Sequence, residues 1–231
     1  NQIGVGNNRM LKLLDLSGCP ELKTALDLSG LTALERFVAG GSGLTGVSFA
    51  RGCPLTEVRL PAVGSLTAQE LHALESFRMD PSGLKLIRVE DCPGIDTLAI
   101  CKGTPKLERG RLTNVDWTDT DATTLLHLAR LPGYDGQGKP TERFVLTGKA
   151  HVATIAQEQI GDIRAAFPEL ELSFGAVVSS AAVTFRNWDG SVLKLKNGSF
   201  AVFYVAVGSS LANPITAGLM DLPIRQSDVE H

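Results

Sequence analysis

Apolar residues return along the chain in a six-residue pattern, apolar at its first, fourth and sixth positions. It runs through Leu11, Leu14 and Leu16, then Leu34, Phe37 and Ala39, then Leu55, Val58 and Leu60, then Leu84, Ile87 and Val89. A fifth copy spans Leu107 and Leu112, with Gly110 in the fourth place. The starts lie 23, 21, 29 and 23 residues apart. Alternating apolar and polar positions give a short strand one buried face. A single strand cannot bury that face alone, so successive copies must stack. Weaker copies begin about halfway between, at Leu44 and Ile95, with an offset one at Leu26 and Leu28. Each coil therefore has two sides.

Longer spacings predict helices on the second side. Residues 67–77 open with a Thr-x-x-Glu capping box, Thr67 to Glu70, and carry Leu71, Leu74 and Phe77 at near-helical spacing, which accounts for the 29-residue gap. Further helices are expected at about 121–131 and 155–167, with strands at 143–147 and 169–173. Residues 132–140, rich in Gly and Pro, read as a loop. The count gives seven strands in one parallel sheet, the last two closing the array as a cap.

Leucine supplies 32 of the 231 residues, and 20 of them precede residue 113. The L-x-x-L-x-L core of LKLLDL (11–16) and LTEVRL (55–60), with the ladder cysteine of DLSGC (15–19), resembles the leucine-rich-repeat family. Near residue 176 the composition changes: residues 1–116 hold three aromatics and residues 181–207 hold five. There VTFRNWDGSVL (183–193), VAVGSS (205–210) and ANPITAG (212–218) resemble the internalin-type, or Listeria–Bacteroides, β-grasp-like repeat of bacterial surface proteins. The closing aromatic Gly-Trp segment of that repeat is absent. Together these resemblances imply an α/β fold. A leucine-rich-repeat solenoid over residues 1–175, a parallel sheet on one side and strands or helices on the other, precedes a small, incomplete β-rich module over residues 176–231. The start at Asn1 reads as that of a processed or excised piece.

Composition narrows the function. With 22 Lys+Arg against 25 Asp+Glu the net charge is −3, which argues against bulk nucleic-acid binding. No apolar run approaches the roughly 20 residues of a membrane-spanning helix, so no membrane insertion is expected. A hydrophobic share of 43% suffices for a true core and makes a disulfide-stapled miniature unnecessary.

Motifs that could carry chemistry read more simply as structure. Residues 41–46 fit a dinucleotide glycine pattern, but a strand rather than a helix follows, so a tight turn is expected. Cys19, Cys53, Cys92 and Cys101 lack the close pairing of zinc ligands and read as thiols at ladder positions, with Cys92 and Cys101 the pair to test first for a disulfide. His72, His127 and His151 have no evident nucleophile beside them. Asp116, Asp119 and Asp121 lack the glycine turn and distal Glu of a calcium loop, so helix capping at 118–121 explains them better. No catalytic residue, metal or cofactor is assigned, and the chain does not read as an enzyme.

One constellation stands out. Positions three and five of each copy point outward, and there lie Arg36, Glu57, Arg59, Arg88, Arg109 and Arg111, with Arg143 beside them. Strands about 4.8 Å apart would stack Arg59, Arg88 and Arg111 into a guanidinium ladder suited to carboxylate, sulfate or phosphate. Alternatively Glu57, Glu90 and Glu108 neutralise it into a lattice of ion pairs. The expected function is a non-catalytic recognition or adhesion module that binds a protein or anionic glycan on the repeat sheet. The alternative is a structural segment of a larger surface or phage tail assembly, whose β-module pairs with a neighbouring chain. The resemblances imply an extracellular, cell-surface or virion setting.

Overall fold

A computed structural model describes residues 8–136 and 139–178, together with the backbone at 194–195 and 229–230. Strands β1 (Leu13–Asp15), β3 (Arg36–Val38), β5 (Glu57–Arg59) and β7 (Ser76–Arg78) form one parallel sheet in that order. Between them the chain crosses to a second sheet through β2 (Ala25–Leu28), β4 (Gly46–Phe49), β6 (Ser65–Gln69) and β8 (Leu86–Glu90). That sheet continues, still parallel, through β9 (Arg109–Thr120), β12 (Val145–Ala156) and β13 (Leu170–Val178). A hairpin of β10 (Gly133–Tyr134) and β11 (Pro140–Thr141) joins beside β9 and makes it a mixed, nine-stranded sheet. After β7 the connections change from strands to a 3-10 turn (Pro81–Gly83) and the helices α1 (Thr97–Lys102), α2 (Ala122–Ala129) and α3 (Gln157–Ala166). Strands β14 (Lys194–Leu195) and β15 (Val229–Glu230) pair antiparallel.

This architecture overturns the expected leucine-rich-repeat solenoid with seven strands in one parallel sheet and strands or helices opposite. The protein is strand-rich with few helices, its larger sheet is mixed, and the strands curl into a half-barrel. The six-residue copies divide between two sheets: those at 11–16, 34–39 and 55–60 supply β1, β3 and β5, while those at 84–89 and 107–112 supply β8 and the start of β9. The β-rich module expected at 176–231 lies outside the described residues, apart from the end of β13 and the β14–β15 pair.

Two local expectations fail for identifiable reasons. Residues 67–77 are not a helix. Leu66 and Ala68 enter the core in alternation, and β6 bonds to β4 on one side and β8 on the other. A helix there would forfeit both ladders, and packing overrides a local capping signal. Conversely residues 95–100, expected as a strand copy, run into α1, because the Asp96 carboxylate accepts from the Ala99 amide at 2.9 Å and Gly103 closes the last turn. Helices α2 and α3 lie within the expected 121–131 and 155–167, and β12 and β13 contain most of the strands expected at 143–147 and 169–173.

One continuous core fills the space between the sheets, with Phe37, Phe144, Leu28, Leu55, Leu66 and Leu112 among its fully buried side chains. Each such side chain contributes on the order of 1.5–3 kcal/mol. Phe37 of the smaller sheet meets Phe49 of the larger edge to face, ring centres 5.5 Å apart. Trp117 of β9 donates through Nε1 to Thr97 Oγ1 at 2.9 Å, which fastens α1 onto the larger sheet. Among the described residues, no helix is long and apolar enough to cross a membrane.

Candidate recognition faces

On the smaller sheet Leu14, Phe37, Val58 and Phe77 line up on the core side. The parallel register therefore places two rows outside: Leu13, Arg36, Glu57 and Ser76, then Asp15, Val38, Arg59 and Arg78. Glu57, with its side chain only 18% exposed, sits between two guanidiniums. Arg36 reaches its Oε2 at 2.9 Å, and Arg59 approaches its Oε1 through Nε at 2.7 Å. The Arg36 hydrogen bond, with the two positive charges, outweighs desolvation and holds the Glu57 carboxyl below its usual range. Arg36 and Arg59 are nevertheless each 53% exposed. At the far end, Asp15 accepts from the Ser17 amide at 2.8 Å.

On the larger sheet Arg88 and Arg111 are register partners, next to Val145. Glu90 joins them: Arg88 donates to both its oxygens at 3.2 Å, Arg111 Nε lies 2.5 Å from Oε1, and Gln69 donates to Oε2 at 2.5 Å. Burial pushes the Glu90 carboxyl up, but these hydrogen bonds and charges prevail and leave it below its usual value. Arg88 also donates to the Asp135 carbonyl. Gly136, at φ +87°, lies against the Arg88 guanidinium where any side chain would collide. Asp135 and Gly136 thus lie over Arg88. Arg109 is in register with Leu86, two residues before the Arg88–Arg111 pair, and Arg143 precedes β12 with its carbonyl packed on Gly133.

The expected Arg59–Arg88–Arg111 ladder is therefore split. Arg59 belongs to the smaller sheet with Arg36, and only Arg88 and Arg111 are neighbours. Glu57 and Glu90 each hold two arginines, whereas Glu108 pairs with Lys85 at 2.9 Å.

A second feature runs past the carboxyl ends of β6 and β8 and across the middle of β9. Glu70, Asp91 and Asn114, at equivalent positions of successive strands, have φ of +56°, +52° and +56°. Their side chains form a polar row, with Arg51 to Glu70 at 2.5 Å and Asn114 to Asp91 at 2.6 Å, and His72 approaches Asp91 at 3.5 Å. Beyond it a groove of about 740 Å³ opens between α1 and β9, lined by Asp96, Leu98, Asn114, Asp116, Trp117 and Asp119.

The remaining candidates fall into structural places. Asp121 caps α2, accepting from the Thr124 amide at 2.6 Å. Gly41, at φ +73°, makes a turn ahead of a strand. Cys92 donates to the Glu90 carbonyl at 3.2 Å and accepts from the Leu71 amide at 3.5 Å. All four thiols are free. His127 lies in α2, and His151 contacts Ser173 across the β12–β13 register, Nδ1 to Oγ 3.0 Å. The 22-residue separation hid that pairing from sequence. Among the described residues, no three His, Cys, Asp or Glu side chains gather to hold a metal.

Arg78 is the site residue that the sequence reading missed. It is exposed, stands opposite Arg59, and lies just past the helix expected at 67–77, in the gap between the copies at 55–60 and 84–89. Its signal was present, because Leu74, Phe77 and Met79 repeat the six-residue pattern. No family model matches the sequence, and neither a curated protein nor a solved structure matches it.

Proposed function

We infer that the chain is a non-catalytic recognition or adhesion module that binds a protein or anionic glycan through an outer sheet face. One observation carries this reading: Arg36 and Arg59 are fixed by Glu57 yet remain half-exposed. A guanidinium already held by a carboxylate loses less freedom when it meets a partner, which favours binding. The larger sheet's arginines support the reading less, because Glu90 and the Asp135 loop occupy them. The setting is an extracellular, cell-surface or virion one, as the internalin-type resemblance implies. The test is binding of the purified chain to a glycan array and to intact bacterial cells at two salt concentrations. Salt-sensitive binding that Arg36→Ala/Arg59→Ala weakens, with folding intact, is expected. Wild-type chain that binds nothing would sink the reading.

One observation favours a structural segment instead. Strand β13 ends the larger sheet with no further partner among the described residues, and Val178 at its tip is 52% exposed. An open strand edge is a template for another chain. Concentration-dependent self-association in sedimentation, abolished by Ser173→Pro on that edge, would favour this second reading.

A further inference from the structure

We propose that Arg59 and Arg78 together form a binding site for a sulfate ester of an acidic glycan, an inference that rests on the recognition-module reading. The two residues are Cα partners in adjacent parallel strands, β5 and β7, and both are exposed on the outer face. Adjacent strands bring their Cα atoms to about 4.8 Å. Like charges directly opposite each other destabilise a sheet, so the pair carries a demand for an anion that the protein meets only in part. Glu57 is the carboxylate in contact, and Arg36 and Arg59 share it. Arg78 has no ion pair among the described residues. Asp15, the other carboxylate of the face, lies three strands away from β7 and is turned to Ser17. At the β5–β7 end two guanidiniums, Arg59 and Arg78, thus stand against Glu57, a carboxylate that Arg36 of β3 also shares.

The geometry suits a tetrahedral oxyanion. Each guanidinium offers planar paired donors, and two side by side can both donate to one group that presents several oxygens. Because the Arg59 contact with Glu57 runs through Nε, the fork is oriented before the ligand arrives. The face is built of three-residue strands with Leu13, Val38 and Ser76 around the arginines. Two cavities, of about 740 and 350 Å³, lie along β9 and the strands beyond it, and neither is lined by a residue of β5 or β7. Peptide recognition draws on pockets for anchoring side chains, whereas a sulfated polymer needs only an exposed row of cations. The exposed Arg59–Arg78 pair, in register and short of carboxylate, fits the sulfated glycan.

The test measures binding of the whole chain to a sulfated glucan, to the same glucan without sulfate, and to a polyglutamate peptide. The wild type is compared with Arg78→Ala, Arg59→Ala/Arg78→Ala and, as a control on the other sheet, Arg111→Ala. Circular dichroism verifies folding, and Arg78→Ala removes no ion pair, so its fold should survive. Binding to the sulfated glucan alone is expected, weakened at least about tenfold by Arg78→Ala, the scale of one charge-assisted hydrogen bond. It should also weaken with salt and be indifferent to Arg111→Ala. Equal binding of both glucans, preference for polyglutamate, or indifference to Arg59 and Arg78 overturns the site. Binding to other glycans or cells under those outcomes leaves the recognition-module reading standing, whereas a wild type that binds neither array nor cells removes both.

Discussion

Glu90 shows how a single side chain decides what a neighbourhood of arginines can do. It lies only 14% exposed and takes contacts from Arg88, Arg111 and Gln69. Removing its charge leaves two guanidiniums side by side without a counterion, so Glu90→Gln should destabilise the fold by about 1–3 kcal/mol at pH 7. The sign of the pH dependence follows from its depressed carboxyl. Its contribution is complete above the unfolded value of about 4.3 and is lost as the pH falls through the lower, folded value. Urea denaturation of wild type and variant should therefore differ at pH 7 and converge towards pH 3. A gap that persists at low pH would mean that shape, not charge, holds Glu90 in place. The thiols make a second residue-scale case. Burial raises Cys92 to about 11 and Cys101 to about 12, and it raises Cys53 as well. A disulfide-exchange reagent at pH 8 should titrate Cys19 in the native state and the other three only after unfolding, because the thiolate is the reacting form. Fast reaction at more than one site would contradict the burial described.

At the scale of elements, the six-residue pattern was legible and its grouping was not. Two series interleave: one begins at Leu11, Leu34, Leu55 and Leu74, the other at Leu44, Val63, Leu84 and Leu107. They feed different sheets. Reading on from Leu55 to Leu84 jumps between the series, and the resulting 29-residue gap invited a helix where β6 and β7 lie. The capping box at Thr67 and Glu70 is a local signal, but the ladders on both sides of β6 are formed by residues about 20 positions away, which no local window contains. That error moved Arg59 onto the wrong sheet and hid Arg78. Helices α2 and α3 were legible because no competing series runs through them. The glycine in the fourth place of the fifth copy also acquires a reason. Gly110 lies beneath the Phe144 ring and beside Ile87, where a Cβ would collide. Gly110→Ala should therefore cost about 1–3 kcal/mol through overpacking, measured by thermal or urea unfolding. A neutral result would show that Phe144 can turn away without loss.

Across the whole molecule, stability should be graded along the sheets rather than uniform. The central strands of the larger sheet are bonded on both sides and bury their core residues fully, as Leu66, Ile87 and Leu112 do. Strand β1 is different: it has one partner among the described residues, Leu13 is exposed, and Leu11 and Leu14 are only partly buried. Local opening follows contact density, because a segment with few buried apolar groups loses little on leaving the core. Native-state hydrogen exchange should find the β3 amides that bond to β1 among the least protected in the smaller sheet, while those of β8 and β9 approach the global unfolding limit. The recognition reading gives this gradient a functional side. Arg36 is on β3, next to the weakly held β1, whereas Arg59 and Arg78 are on β5 and β7, at the opposite end of the smaller sheet. If opening begins at β1, mild denaturant should release Arg36 before it disturbs the Arg59–Arg78 pair, so binding of a sulfated glucan should outlast the first exchange events. Uniform protection of β1 and β8 would instead mean that both sheets open as one cooperative unit, and binding would then fall in step with global unfolding.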